Sequence, residues 1–134
     1  MNLVDYFNNA KGRGVLATAD GEGVVDAAVY ARPHLIDEAT AAFIMRDRLT
    51  HANLQTNPHA AYLFMEDGAG YKGIRLFLTK VSEETNTERL FALRRKDYDK
   101  GKKPEGHGTD LFLVLFRVDK ILPLIGAGEA TEVS

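Results

Sequence analysis

Three things are missing from this chain: cysteine, a surplus of one charge and a long apolar run. Without cysteine there is no disulfide framework, thiolate nucleophile or cysteine-bound zinc. Seventeen basic and 19 acidic side chains give a formal net charge of -2, whereas a nucleic-acid binder carries a basic surplus. No stretch approaches the roughly 18 apolar residues of a membrane span, and no apolar export segment begins the chain. We therefore expect a cytoplasmic protein without a membrane or nucleic-acid partner.

The 134 residues that are present suffice for one domain with a buried core and are too few for two. We assign residues 1–125 to this domain and residues 126–134 to a C-terminal tail. Six short β runs alternate with two or three helical segments, an order that favours a small antiparallel β-barrel. The first helix follows a capping residue, Asn2, and ends in the glycine-containing stretch 11–14.

A β-hairpin with an unusually small-sided second strand is predicted next. Residues 15–19 and 24–31 have strand patterns, and the glycine-rich turn 20–23 joins them. Alanine occupies positions 27, 28 and 31 of the second strand. Such a strand leaves room for a flat ligand against its backbone, although close packing of a helix or sheet explains the alanines about as well.

A buried strand that leads directly into a helix is the feature around which the chain is organised. Residues 41–45 are apolar and read as the strand. Thr50 opens a helix of one to two turns, which must stop before Pro58 because a residue that precedes proline is pushed out of the α region.

Two arginines lie at this junction and indicate a binding site for an anion. If the strand keeps its period of two, Arg46 and Arg48 leave on one face and Asp47 on the other. The guanidinium groups, the Thr50 hydroxyl and the unpaired N–H groups of the helix start then converge, which suits a phosphate. The alternative is that Thr50 is only an N-cap and the arginines only a solvated strand end.

Two more strands and a helix follow. Residues 59–65 and 71–81 have strand patterns, and Arg75 shares a face with Phe77, where it either meets a ligand or bridges the rim. Thr85 and the acidic residue three positions later have the spacing of a capping box, which predicts a helix over 86–98.

The remaining segments are a basic stretch and a last strand. The basic residues between positions 94 and 103 suit the C-terminal end of a helix better than a role in attracting an anionic substrate. Residues 111–116 are apolar on both strand faces. We therefore expect one face of this strand in the core and the other against a second subunit.

In this order of elements the sequence resembles the pyridoxamine 5'-phosphate oxidase-like FMN-binding split-barrel family over residues 3–122. The most telling stretch is 48–58, which has a basic loop, a short helix and an Asn-Pro pair in succession. The resemblance implies a mainly β (α+β) fold, a six-stranded antiparallel split β-barrel with short helices that forms a homodimer. It also implies FMN bound at the subunit interface, in an oxidoreductase or electron carrier that serves a small molecule or a redox protein.

Carried over residue by residue, the resemblance implies a set of FMN-binding positions. The strand segment that meets the flavin ring matches Ala28, Val29, Tyr30, Ala31 and Arg32. The phosphate-binding segment matches Met45, Arg46, Asp47, Arg48, Leu49 and Thr50, with Asn53 one helical turn further on. A polar residue near the ring edge matches Arg75. Many members carry a lysine beside Leu49 and Thr50 and an arginine at the position of Ala27, and here Arg46 and Arg48 take over those charges.

The resemblance also implies how the protein would tune the flavin. A cation near the N1 and C2 carbonyl edge of the ring raises its reduction potential, and Arg32 and Arg75 are the candidates. No catalytic side chain is implied, since flavin chemistry needs no protein nucleophile, and no metal ligands are expected.

Three other assignments stay open. Pyridoxamine 5'-phosphate oxidase itself has an arginine-rich C-terminal segment in this family, which residues 126–134 lack. A non-enzymatic flavin- or haem-binding or storage protein on the same barrel is the second, although the histidines at positions 34, 51, 59 and 107 lack metal-ligand spacing. A deazaflavin-using reductase is the third and needs a wider cofactor groove.

Overall fold

The structure is a computed structural model that describes residues 1–99 and 111–126. The predicted C-terminal tail beyond Gly126, the residue His107 and the basic residues at positions 100–103 lie outside these ranges. The elements are α1 (Leu3–Asn9), β1 (Gly12–Ala19), β2 (Val25–Tyr30), β3 (His34–Asp37), β4 (Thr40–Arg46), α2 (Leu49–Thr56), β5 (His59–Glu66), β6 (Gly73–Glu84), α3 (Glu88–Asp99) and β7 (Leu111–Pro123).

Within the described residues, the strands form one antiparallel sheet of seven members in the order β2-β1-β5-β6-β7-β4-β3. The predicted hairpin of β1 and β2 is confirmed, whereas the expected number of six strands is wrong. The additional strand is β3, four residues long, which pairs with β4 through an irregular register. Its sequence follows Pro33 and contains only two consecutive apolar residues, so the sequence pattern there indicates a break rather than a strand.

The sheet closes on itself as a barrel. Four strands lie between β2 and β4 in the sheet order, yet the ring centroids of Tyr30 in β2 and Phe43 in β4 are 5.8 Å apart in an edge-to-face contact. Phe43 also meets Tyr62 of β5 and Phe116 of β7, at 5.0 and 5.9 Å. Aromatic rings from both halves of the sheet therefore share one core, which confirms the predicted barrel architecture.

Helix α1 begins as the sequence predicts. The Asn2 side chain accepts a hydrogen bond from the Asp5 N–H at 2.8 Å, so Asn2 is the N-cap. The helix buries Leu3 and Phe7, and the Phe7 ring packs edge-to-face on Phe64 of β5. Burial of these two side chains anchors α1 to the barrel core.

Helix α3 begins two residues later than predicted, with a different cap. Asn86 adopts a left-handed conformation with φ 56°, and the Thr87 hydroxyl accepts a hydrogen bond from the Leu90 N–H at 3.2 Å. Thr85 instead donates to the Leu111 carbonyl at 3.1 Å. The turn at Asn86 ends the preceding strand, which shifts the capping role to Thr87.

The second apolar face of β7 is covered by α3, and not by a second subunit as the sequence alone suggested. Leu111, Leu113 and Leu115 pack against the buried Leu90. Partly buried side chains from the same helix, Phe91 among them, extend this second cluster. Within residues 1–99 and 111–126, no helix is long and apolar enough to cross a membrane.

Gly14 is required by a close approach inside the barrel. A Cβ atom at this position would lie 1.9 Å from the hydroxyl oxygen of Tyr62, whose side chain is fully buried and donates to the Tyr30 carbonyl at 3.1 Å. We expect Gly14→Ala to lower the free energy of unfolding by about 1 to 3 kcal/mol, because the Tyr62 ring must move within a packed core. Urea denaturation measures the loss. Gly21→Ala is the control, since its Cβ would meet no atom closer than 3.4 Å, and equal effects of the two substitutions would contradict the assignment.

Candidate functional site

The β4–α2 junction, residues 46–50, turns the chain sharply from strand to helix. The Arg48 N–H donates to the Arg46 carbonyl at 2.9 Å, and Arg48 is the N-cap of α2 in an extended conformation. The helix ends at Thr56, before Pro58, as predicted. Thr50 is therefore not the N-cap, and the reading of Thr50 as only a cap is wrong.

Backbone donors gather at the first turn of α2. The first helical hydrogen bond runs from the Ala52 N–H to the Arg48 carbonyl at 2.9 Å, so the N–H groups of Leu49, Thr50 and His51 precede it. The Arg48 side chain does not cap the helix by a hydrogen bond. Donors at this position, at the positive end of the helix dipole, suit an anion.

A contact between Tyr30 and Thr50 joins β2 to this helix start. A hydrogen bond connects their side chains, and the Tyr30 ring is partly buried. Burial raises the pKa of Tyr30, while the hydrogen bond to Thr50 and the charge of Arg48 act against the rise and the charge of Asp26 adds to it. Tyr30 is thus a neutral phenol at physiological pH, and Arg48 lies within electrostatic reach of it.

Buried polar and apolar side chains of α2 hold this helix on the barrel. The Asn53 amide donates to the Thr18 hydroxyl of β1 at 3.0 Å, and both side chains are buried. Leu54 is buried beside them in the core. The predicted site residue Asn53 therefore holds α2 on β1, and this contact keeps the helix start next to Tyr30.

Asp47 and His51 form a second polar group on the β6 and β7 side of the junction. The Asp47 carboxylate lies 2.9 Å from His51 Nδ1, and Glu83 of β6 lies 3.0 Å from His51 Nε2. The His51 ring stacks on Phe112 of β7, with centroids 3.9 Å apart and planes at 18°. Sequence reasoning missed Glu83 and Phe112, since neither belongs to a local pattern that includes His51.

The other predicted residues of the phosphate segment differ in exposure. Arg46 is partly buried at the last position of β4, whereas Arg48 and Leu49 are exposed. Met45 is buried in the core cluster with Phe43 and other barrel residues. The structure thus brings Arg48, Thr50 and Tyr30 together and places the Met45 side chain in the core.

Neither Arg32 nor Arg75 directs its guanidinium group to this junction. Arg32 donates to the carbonyls of Phe7 and Ala10, at 2.9 and 2.6 Å, and so satisfies the C-terminal end of α1. Arg75 donates through Nε to the Pro123 carbonyl at 3.0 Å and through a terminal nitrogen to the Gly126 carbonyl.

The position of Arg75 in the sheet explains why it belongs to a different surface. Arg46 pairs with Leu111 and Arg75 with Leu122, so the two arginines are eleven residues apart in register along β7. The side chain lies on the outward face of the sheet, where it lines a groove with residues of β1 and β5.

Consecutive side chains of β2 point to opposite faces of the sheet. Val29 is 83% exposed on the outward face, whereas Tyr30 turns inward to Phe43. Ala28 is partly buried and Ala31 is exposed directly after the strand. Among the described residues, β2 pairs only with β1, so its other edge is available beside the small side chains.

Solved structures with the same fold were found by comparison of coordinates. An FMN-binding protein from Syntrophomonas wolfei subsp. wolfei has a TM-score of 0.75 at 19% identity, over 93% of this chain and 85% of that one. A candidate pyridoxamine 5'-phosphate oxidase from Listeria innocua has a TM-score of 0.67 at 17% identity, over 91% and 94%. The fold is the pyridoxamine 5'-phosphate oxidase-like split barrel.

A third solved structure shows that a TM-score in this range identifies the fold and not the ligand. A haem-binding protein from Mycobacterium smegmatis has a TM-score of 0.67 at 21% identity, over 98% of this chain and 57% of that one. No protein-family model matches the chain, and no curated protein sequence matches it. The assignment of a ligand to this split barrel therefore depends on its own residues.

The Glu83 carboxylate makes the stability of the folded protein depend on pH. Burial alone would raise the pKa of Glu83, but hydrogen bonds from Lys80, Gln55 and His51 outweigh it and lower the pKa from 4.5 to about 2. A lowered pKa in the folded state contributes stability that is complete above pH 4.5 and is lost as the pH falls towards 2.

We therefore expect wild type to be more stable than Glu83→Gln near neutral pH, with a difference that shrinks as the pH falls below 4.5. The difference should be about 1 kcal/mol, because water screens a partly exposed group. Urea denaturation at a series of pH values measures it. Glu22→Gln, at an exposed turn position, is the control and should show no such trend. A constant difference between wild type and Glu83→Gln would contradict the lowered pKa.

Proposed function

We propose that this split barrel binds FMN and acts as an FMN-dependent oxidoreductase or electron carrier. The observation that carries the proposal is the contact of Tyr30 with Thr50, beside Arg48. This contact holds β2, a strand with several alanines, next to the first turn of α2, where backbone N–H groups can donate. A flat ring attached to a phosphate ester needs both features within reach of each other.

The β4–α2 junction has the donor set that a phosphate monoester requires. Such a group carries between about 1.5 and 2 negative charges at neutral pH. Arg48, the Thr50 hydroxyl and the N–H groups at the start of α2 are the proposed ligands, and the Arg46 charge lies two residues from that of Arg48. These residues fit FMN by charge and by the type of donor.

The proposed place of the isoalloxazine ring is the open edge of β2. Ala28 and Ala31 add little bulk there, and Tyr30 forms the wall that continues to Thr50. Bound FMN would supply one- or two-electron transfer with a small-molecule or protein partner. The similarity to the Syntrophomonas wolfei FMN-binding protein supports this choice of cofactor.

We also propose that the protein is a homodimer, on the evidence of an exposed apolar surface. We call this surface the open face. It is an outward groove of about 340 Å³ on β1, β5 and β6 with the adjoining side chain of β2, and its residues include Val15, Leu63, Arg75, Phe77 and Val29. An apolar patch of this kind on a sheet marks an interaction surface. A second copy would bury it, and Arg75 could then reach only a flavin held by the partner.

A haem-binding role on the same barrel is the alternative, and the histidines at positions 51 and 59 give it little support. Both ring nitrogens of His51 face carboxylates, and His59 is exposed on β5 with Thr79 at 3.5 Å from its Nδ1. Absorbance spectra of the purified protein decide between the two ligands, since a flavin and a haem have different bands. Turnover with pyridoxamine 5'-phosphate or a nicotinamide donor then separates an enzyme from a carrier or storage protein.

We expect Arg48→Ala to raise the Kd for FMN about tenfold or more, because a charge-assisted hydrogen bond contributes about 1.5 to 3 kcal/mol. Quenching of flavin fluorescence measures the Kd. Riboflavin is the matched ligand, since it lacks the phosphate and its weaker binding should not respond to the substitution. Arg117→Ala removes an exposed arginine on β7 as a control. An unchanged Kd for FMN would exclude Arg48 from the site.

Val29→Asp should dissociate the proposed dimer, because it places a charge on the open face. Sedimentation equilibrium measures the oligomeric state. Val81→Asp is the matched control, since Val81 is also exposed but lies towards the other end of β6. Wild type that is monomeric and still holds FMN would refute the shared-interface proposal.

A further inference from the structure

A buried histidine lies directly behind the β4–α2 junction. His51 is only 6% exposed, although it belongs to the first turn of a helix on the protein surface. Its ring stacks on Phe112, which fixes the ring plane. The FMN proposal gives this side chain no role, because its nitrogens point to other protein groups.

Acidic groups face His51 from two elements. Asp47 Oδ1 from the junction lies 2.9 Å from Nδ1, and Glu83 Oε2 from β6 lies 3.0 Å from Nε2. The Lys80 ammonium lies 2.6 Å from Glu83 Oε1, an oxygen that is 3.2 Å from His51 Nε2. From α2 itself Gln55 approaches, and β7 contributes only the Phe112 ring. An ionised carboxylate can only accept, so both contacts are hydrogen bonds only when both ring nitrogens carry hydrogen.

The negative charge of Asp47 disfavours the binding of an anion at this junction. Its carboxylate lies between Arg46 and Arg48 in the chain, and its side chain is 64% exposed. A free negative charge there would repel a phosphate and compete for the arginines. The contact with His51 draws the carboxylate to the β6 and β7 side, and a protonated ring offsets its charge.

We propose that His51 is a positioning residue for the phosphate site, which, as an imidazolium anchored on Glu83, holds the Asp47 carboxylate aside and offsets its charge. The inference rests on the proposed FMN site and adds to it a residue that touches no ligand. In a neutral ring with a bare Nε2, Gln55 Nε2, which lies 3.1 Å away, can donate to that nitrogen. The ring then loses both its positive charge and its anchor on Glu83.

A double-mutant cycle for FMN binding tests this role. His51→Phe keeps an aromatic ring on Phe112 but cannot hold Asp47, and it should raise the Kd for FMN about tenfold. Adding Asp47→Asn should bring the Kd back to within about twofold of Asp47→Asn alone, because the repelling charge is gone. His59→Phe, at an exposed position on β5, is the control and should bind as wild type does. A double variant as weak as His51→Phe would overturn the proposal.

A measurement on the protein without FMN separates this inference from the proposed function. Nitrogen NMR at neutral pH should show a hydrogen on both ring nitrogens of His51, because each faces a carboxylate. If wild type binds no FMN, the proposed function fails, whereas a His51 ring with one bare nitrogen would refute the inference separately. Should His51→Phe not fold by circular dichroism, Glu83→Gln replaces it and should also raise the Kd for FMN, because it removes the anchoring carboxylate; an unchanged Kd would count against the anchor.

Discussion

Tyr30 is the residue on which both the barrel and the candidate site depend. Its ring meets Phe43 across the closure of the sheet, its carbonyl accepts a hydrogen bond from the fully buried Tyr62, and its hydroxyl is bonded to Thr50. Closure of the barrel therefore fixes the distance between β2 and the start of α2. Any rearrangement that opens the sheet at β2 also separates the two halves of the site, so core packing and ligand geometry share one constraint.

Charge at the β4–α2 junction is arranged by contacts that come from distant parts of the chain. Arg48 is left exposed next to Thr50, whereas Asp47 between the two arginines is paired with His51, which Glu83 holds from β6. The chain reversal at Asp47 makes this separation possible, because the Arg48 N–H bonds back to Arg46. Neighbouring residues of opposite charge can then occupy different sides of one short loop.

Sequence reasoning found the features that local patterns encode and missed those that tertiary contacts decide. The N-cap at Asn2, the hairpin, the end of α2 before Pro58 and the split-barrel architecture follow from local signals and element order. Strand β3 has too few apolar residues for a pattern, and the cover of β7 by α3 shows only in three dimensions. Arg32 and Arg75 have charges that suit a ligand, yet both bind backbone carbonyls, which no spacing rule reveals.

The alternation of side chains along β2 links the proposed cofactor site to the proposed subunit contact. Val29 faces outward in a row with Val15, Leu63 and Arg75, while its neighbour Tyr30 faces inward towards Thr50. One strand thus supplies the open face with one residue and the contact to Thr50 at the start of α2 with the next. A partner that covers the open face would lie one strand thickness from the flavin edge. Arg75, which is held by backbone carbonyls away from its own junction, lies on the face that this partner would cover.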